Sequence, residues 1–335
     1  MSSTYLKKFL DEVGLVALYS SSADIKLLCM QRFVRLFAYG GSTLVLVAYQ
    51  HALGISQAQT GLFMTLTLVG DILISFFFTL TADALGRRAV LGLGAALMCA
   101  SGVVFALFGN YWILLLAAIV GVISPSGNEI GPFRAIEESS VAHLTPAAKR
   151  GDIYAWYSLI GTAGTAFGMM STGWIVHYLR ATKHWSEVEA YRAVFWGYAV
   201  FGFIKFILSL ALSKNVEAEK KPKQAASTGQ DPESAPLLGN GANGRAPAKE
   251  KKPSLLALLP EISKESRVIV LNLCLLFALD AFASGLAPLS WVTWFFKQKY
   301  DLQEGFLGSL FFVTSIIAAC SMLVASSIAK RFGNI

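Results

Sequence analysis

Apolar residues run through this chain in long blocks rather than in the stripes of an amphipathic helix. Eight blocks stand out, over residues 27–50, 61–81, 89–108, 111–131, 153–179, 192–213, 268–295 and 305–329. A bilayer core about 30 Å thick is crossed by about 20 helical residues at about 1.5 Å each, and each block reaches that length. Blocks 89–108 and 305–329 hold no charged residue, and 153–179 holds His177 as its one near-neutral titrating group. Helices of a soluble core would show a polar position every third or fourth residue, and these do not. The pattern therefore predicts eight spanning helices, spans 1 to 8. Residues 5–18 (YLKKFLDEVGLVAL) read as an amphipathic helix on the membrane surface. Arg32 and Arg35 inside the first block exclude a cleaved signal peptide.

Composition agrees. Of 335 residues, 55% are hydrophobic and 15% charged, against about 25% charged in soluble domains. Global disorder and a disulfide scaffold are excluded, the latter because four cysteines are sparse for this length. The net charge of +7 is unevenly placed. With the N-terminus in the cytoplasm, cytoplasmic segments hold 18 Lys and Arg residues. The opposite side holds four: Arg180, Lys183, Lys297 and Lys299. The positive-inside rule then places both chain ends in the cytoplasm.

Four segments follow: 1–26, a cytoplasmic N-terminal segment; 27–213, a six-helix bundle; 214–266, a cytoplasmic linker; and 267–335, two further helices. The stretch 222–254 is rich in Pro, Gly, Ala, Asn and Ser and reads as disordered, and Ser254 precedes a short apolar segment as a cap. The halves show an internal repeat. A shift of 247 residues places Gly61 on Gly308, Ala82 on Ala329 and Gly86 on Gly333. A shift of 245 places Cys29 on Cys274, Gly40 on Gly285 and Arg35 on Asp280.

Asp83-Ala84-Leu85-Gly86-Arg87-Arg88, between spans 2 and 3, resembles the loop motif G-x-x-x-D-x-x-G-R-[KR] of the major facilitator superfamily, with Thr79 at the first glycine position. The segments NEIGPFRAIEES (128–139), AWYSLIGTAGTAFG (155–168) and LFALDAF (276–282) are similar to an uncharacterised fungal and bacterial branch of that superfamily. The resemblance implies an all-α multi-pass membrane bundle, with a six-helix N-terminal half and the first two helices of a C-terminal half. It implies a secondary carrier that moves a small solute by alternating access, by proton coupling or by facilitation. Such a carrier has twelve helices, so the chain is expected to be a truncated product, an incomplete gene model or a splice form. The alternative function is a non-transporting regulator or fragment.

Charged groups inside spans are costly and mark function by default. Asp280 lies about 18 Å into span 7 and is a candidate for binding a proton or a substrate cation. By the repeat, Arg35 is its mate, and an Arg35–Asp280 gate is one reading. Snorkelling of Arg35 to the interface is the other. Asp71 sits mid-span in span 2, facing a cavity or a helix interface. Span 4 ends in SPSGNEIGPFR (124–134), whose prolines and glycines break regular hydrogen bonding. Asn128, Glu129 and Arg134 there are candidates for substrate binding or a cytoplasmic gate, with Glu137 and Glu138 one turn on. A salt-bridge cluster at a helix end is the competing reading. By resemblance, Asp83, Gly86, Arg87 and Arg88 latch one conformation; the bland reading is a positive anchor.

Gly161, Gly164 and Gly168 share one face of span 5 and read as packing positions. The exchanger motif's Gly-Pro pair is missing there. Glu233, Leu237 and Leu238 form a weak acidic dileucine sorting pattern, so the membrane is the plasma membrane or a vacuolar or endosomal one. No histidine spacing suggests a metal, and no cofactor is expected. The absence of a Walker loop argues against an ATP-driven pump. With no nucleophile–base pair apparent, an enzyme is not expected. The expected partners are a small solute, protons and membrane lipids, not nucleic acid.

Overall fold

The computed structural model describes residues 14–121, 123, 132–217 and 264–332. Asn128, Glu129, Glu233, Leu237, Leu238 and the Asp83 side chain lie outside the described residues, as do Ser254 and residues 5–13 of the expected surface helix. Every regular element is helical, with no strand among the described residues. In chain order these are α1 (Leu15–Tyr19), α2 (Ala23–Ala52), α3 (Gln57–Leu85), α4 (Arg87–Leu107), α5 (Tyr111–Gly121), α6 (Pro132–Leu144), α7 (Ala147–Ala181), α8 (Glu187–Leu210), a 3₁₀ turn (Lys214–Val216), α9 (Lys264–Leu286), α10 (Leu289–Tyr300) and α11 (Glu304–Phe332).

Six helical stretches are long and apolar enough to cross a membrane: Gln57–Ala82, Arg87–Leu107, Ala147–Ala181, Glu187–Leu210, Ser266–Tyr300 and Glu304–Met322. The helix α2 matches them in length at 30 residues but turns Asp24, Gln31, Arg32 and Arg35 inward. The expected block 111–131 contains α5, and a further helix, α6, spans Pro132–Leu144. This helical segment therefore carries Glu137 and Glu138 beyond the boundary that hydropathy set. Block 268–295 is likewise two helices, because Pro288 lacks the N–H that would continue α9 and instead starts α10.

The sequence writes its own helix ends. Ser22 caps α2 through the Ile25 amide, and Ser56 with Gln59 and Ser186 with Glu189 form capping boxes on α3 and α8. Gly86 joins α3 to α4 with φ of 95°, a conformation that favours glycine.

The chain divides into two units, residues 1–218 with 278–335, and residues 219–277. The described part of the second is the first half of α9, whose residues from Arg267 on are exposed. In the first unit, α2 packs along α7 and α8, α4 along α8, and α11 along α7. A Cβ at Gly164 would lie 2.7 Å from the Phe33 carbonyl oxygen, and one at Gly168 would collide with that of Phe37. The small-residue face of α7 thus lets two backbones meet, the geometry by which helices associate in lipid. One core cluster centres on Tyr39, Tyr49, Phe63, Phe105, Tyr191 and Phe195, and a second on Leu28, Leu91, Phe133, Val141 and Tyr157. The outer faces are as apolar as the core: Ile72, Leu73, Phe76 and Phe77 on α3, and Val200, Phe203, Ile207 and Leu210 on α8, are exposed. Such patches exceed what a soluble monomer shows and suit hydrocarbon.

Candidate functional site

A carboxylate buried in the first unit collects donors from three other helices. Glu137 on α6 is fully buried, as are Arg35 on α2 and Lys205 on α8. Arg35 Nη2 donates to Glu137 Oε2 at 2.7 Å, and Lys205 Nζ donates to Oε1 at 2.6 Å. The Tyr157 hydroxyl on α7 donates to Oε2 as well. Phe133, one turn before Glu137, lies beneath both cations, with Lys205 Nζ 4.2 Å and Arg35 Cζ 5.2 Å from its ring centre. The Arg32 guanidinium lies 3.9 Å from the Tyr157 ring centre. Charges this deep survive only when paired and hydrogen-bonded, and both oxygens of Glu137 are.

This geometry corrects the Arg35–Asp280 reading. Arg35 is turned inward on Glu137, whereas Asp280 is exposed on α9. The repeat aligned the two residues by position but carried no information on which face of each helix turns inward. Arg134 is exposed and pairs with Glu138 one turn on, Nε to Oε1, at 2.8 Å. Asp71 is buried, and its Oδ1 has no hydrogen-bond partner among the described residues. Gly86, Arg87 and Arg88 open α4, and the Glu217 carboxylate accepts from the Arg87 amide at 2.6 Å and the Arg88 amide at 3.3 Å. Arg88 Nη2 also donates to the Leu210 carbonyl at 3.0 Å. Asp24 near the start of α2 accepts from the Ser213 amide at 2.8 Å and its hydroxyl at 2.6 Å. Residues 213–217 are thus tied to the first turns of α2 and α4, where anionic groups suit the exposed amides.

A second charged network lies at the opposite end. Glu304, at the start of α11, accepts at Oε1 from Arg180 on α7 at 2.9 Å, from the Tyr191 hydroxyl on α8 at 2.9 Å and from Lys297 on α10 at 2.7 Å. Arg180 also pairs with Glu187 at 2.7 Å. Beside it opens a cavity of about 610 Å³ whose wall includes His177, His184, Trp185 and Asp301. Below it α7 and α11 touch closely, because a Cβ on Gly308 would strike the Met169 carbonyl. Trp174 Nε1 donates to Ser309 Oγ at 3.1 Å.

Sequence reasoning placed Glu137 in a polar cluster but did not single it out, and it missed Glu304. The partners of Glu137 lie 102, 68 and 20 residues away, so no local spacing reveals them. One signal was available: Lys205 is a cation deep inside an apolar block, and such a charge requires a buried counter-charge.

An all-α bundle with lipid-suited outer faces and ionised groups locked between its helices is a multi-pass membrane protein of the transporter kind. The chain belongs to the Major Facilitator Superfamily, whose family model matches residues 28–335. It is 36% identical over 323 residues to the Uncharacterized membrane protein YJR124C of Saccharomyces cerevisiae, covering 94% of this chain and 70% of that protein. It is 24% identical over 185 residues to the Quinolone resistance protein NorA of Staphylococcus aureus, covering 55% of this chain and 42% of NorA.

Proposed function

We propose that this chain forms the moving frame of a secondary carrier that takes a small solute across a membrane by alternating access. The observation that carries the reading is the buried Glu137 cluster, which joins α2, α6, α7 and α8 through one carboxylate. A structural helix bundle has no need of four ionisable groups at such depth, since apolar residues of similar volume hold helices as well or better. A carrier does, because its core must present polar groups to a solute that crosses hydrocarbon.

The cation bias sets the orientation, with α2 beginning at the cytoplasmic face. The Glu304 network then closes the outer face, joining α7 and α8 to α10 and α11. On the cytoplasmic side a cleft of about 300 Å³ opens between α7 and α11, lined by Tyr154, Ser158 and Met322. This is the inward-facing arrangement of a rocking carrier. Asp83, Gly86, Arg87 and Arg88 belong to its cytoplasmic latch, in which Glu217 accepts from the Arg87 and Arg88 amides. Asn128, Glu129 and Asp280 complete the set of polar groups offered to solute or proton.

The test is counterflow in proteoliposomes across a panel of labelled sugars, carboxylates, amines and aromatic drugs. The expected result is saturable flux of at least one class that Glu137→Gln abolishes. Flux in no class above protein-free liposomes, or flux untouched by Glu137→Gln, refutes the reading.

A further inference from the structure

The cavity beside the Glu304 network is walled by the end of α7, the turn into α8, the end of α10 and the turn into α11. Its volume of about 610 Å³ falls within the range of about 300–1,000 Å³ common to small-molecule sites. Three carboxylates line it, Glu187, Asp301 and Glu304, against two cations, Arg180 and Lys297. Both cations are engaged. Arg180 is divided between Glu187 at 2.7 Å and Glu304 at 2.9 Å. Lys297 holds Glu304 at 2.7 Å, with Glu187 at 3.8 Å. Asp301 is exposed and forms no ion pair among the described residues. The wall thus keeps one carboxylate in excess of its cations, and Lys183, Arg192 and Lys299 do not line it.

The backbone fixes that carboxylate in place. Asp301 ends α10 with φ of 49°, and His184 in the turn before α8 has φ of 56°. Among the described residues these are the two non-glycine positions in the left-handed region, and both lie on this wall. Such conformations persist where the surrounding structure fixes them, and they gather at ligand sites. Trp185 follows His184, with its amide donating to the Leu179 carbonyl at 3.2 Å, and the residue is 45% exposed. An aromatic ring beside excess negative charge suits an ammonium group. A bare metal ion does not fit, because no three His, Cys, Asp or Glu side chains converge to hold one among the described residues. An anion would have to take Arg180 or Lys297 from carboxylates that they already hold. Ala181 and Leu302 add apolar wall for a carbon body.

We propose that this cavity binds a small organic ammonium, with its charge on Asp301 and its carbon body against Trp185. The ammonium N–H groups donate to a carboxylate that no other cation holds, so binding breaks no existing ion pair. The occupant sits beside Glu304, where helices from before and after the linker are joined. Passage of the cation onward through the protein rests on the carrier reading; the binding site itself does not.

The test is titration of the full chain in phosphatidylcholine nanodiscs with phenethylammonium, followed by saturation-transfer NMR. Phenethyl alcohol and phenylacetate serve as neutral and anionic counterparts of similar shape, and empty nanodiscs correct for partition into lipid. The expected result is saturable binding of the ammonium alone, weakened about tenfold in Asp301→Asn and about threefold in Trp185→Leu. Asparagine adopts the left-handed conformation as readily as aspartate, so the variant loses the charge and keeps the turn. The comparison of the three probes needs no variant and covers the case in which the variant does not fold. No saturable binding of the ammonium, equal binding of the alcohol or the acetate, or an affinity untouched by Asp301→Asn overturns the proposal. Counterflow without binding here sinks the ammonium site and spares the carrier; binding without counterflow does the reverse.

Discussion

Replacing Glu137 by glutamine is the sharpest test of the buried cluster. The change keeps size and removes one negative charge. It leaves Arg35 and Lys205, both fully buried, facing an amide that accepts through one atom instead of two. Breaking a buried ion pair from one side costs about 3–5 kcal/mol, because the remaining charge stays in a low dielectric. Unfolding temperature moves by about 2–4 °C per kcal/mol in chains of 150–250 residues, so a fall of about 6–20 °C is expected. The assay is thermal unfolding of detergent-purified protein, with loss of the monodisperse chromatographic peak as readout.

Two controls isolate the cause. Glu138→Gln touches the exposed pair with Arg134, worth about 0–1 kcal/mol, and should shift the transition by no more than a few degrees. The double variant Glu137→Gln with Lys205→Gln should recover part of the loss, because the stranded ammonium is gone. Non-additivity of about 0.5–3 kcal/mol is expected between residues in direct contact. Equal effects of Glu137→Gln and Glu138→Gln, or strict additivity in the double variant, would show that the cluster does not act as a charged unit.

Glu304→Gln should loosen the outer closure: each 1.4 kcal/mol lost is about tenfold in the open population, read as faster impermeant-maleimide labelling of a cysteine placed at Leu302. Unchanged labelling would mean that the network does not hold the outer face shut. Gly168→Leu should prevent α7 from seating on α2, where the Phe37 carbonyl fills the space; overpacking costs about 1–3 kcal/mol, read as reduced recovery of folded protein. Glu217→Ala removes the acceptor from the first amides of α4, and loss of an N-terminal cap costs about 0.5–2 kcal/mol, measured as a small fall in unfolding temperature.

The membrane fold is legible from the sequence because hydrocarbon imposes a length and a polarity on each helix, and both are local properties. Six of the eight apolar blocks fall on helical stretches long and apolar enough to cross a membrane, the first falls on α2 and the fourth contains the shorter α5, and the capping serines mark the starts of α2, α3 and α8. Legibility fails where polarity and membrane depth separate. Hydropathy ended the fourth block at 131, yet α6 spans Pro132–Leu144 with Glu137 wholly inside the protein. A carboxylate neutralised by cations on α2 and α8 behaves as part of the interior, and no window along one segment can register that. Glu304 was overlooked for the same reason, since Arg180 and Tyr191 come from more than 100 residues away. Arg35 was legible as a charge inside a span but not in its choice of partner, because an internal repeat aligns positions and not faces.

The two charged networks differ in what motion requires of them. The donors and acceptor of the Glu137 cluster all lie between residues 35 and 205, on helices that precede the linker. The Glu304 network joins Arg180 and Tyr191, before the linker, to Lys297, after it. If helices before and after the linker rock as bodies, the first network can stay intact through the cycle while the second must break and re-form. The helix α8 ties them mechanically: Tyr191 and Lys205 are 14 residues apart, about 21 Å along one rigid helix. A tilt that pulls Tyr191 from Glu304 therefore swings Lys205 at the other end. Stability should accordingly depend on the Glu137 cluster and conformational population on the Glu304 network. Thermal unfolding and cysteine accessibility, measured on the same two variants, should rank them in opposite order; a shared ranking would mean that the helices before the linker do not move as a body.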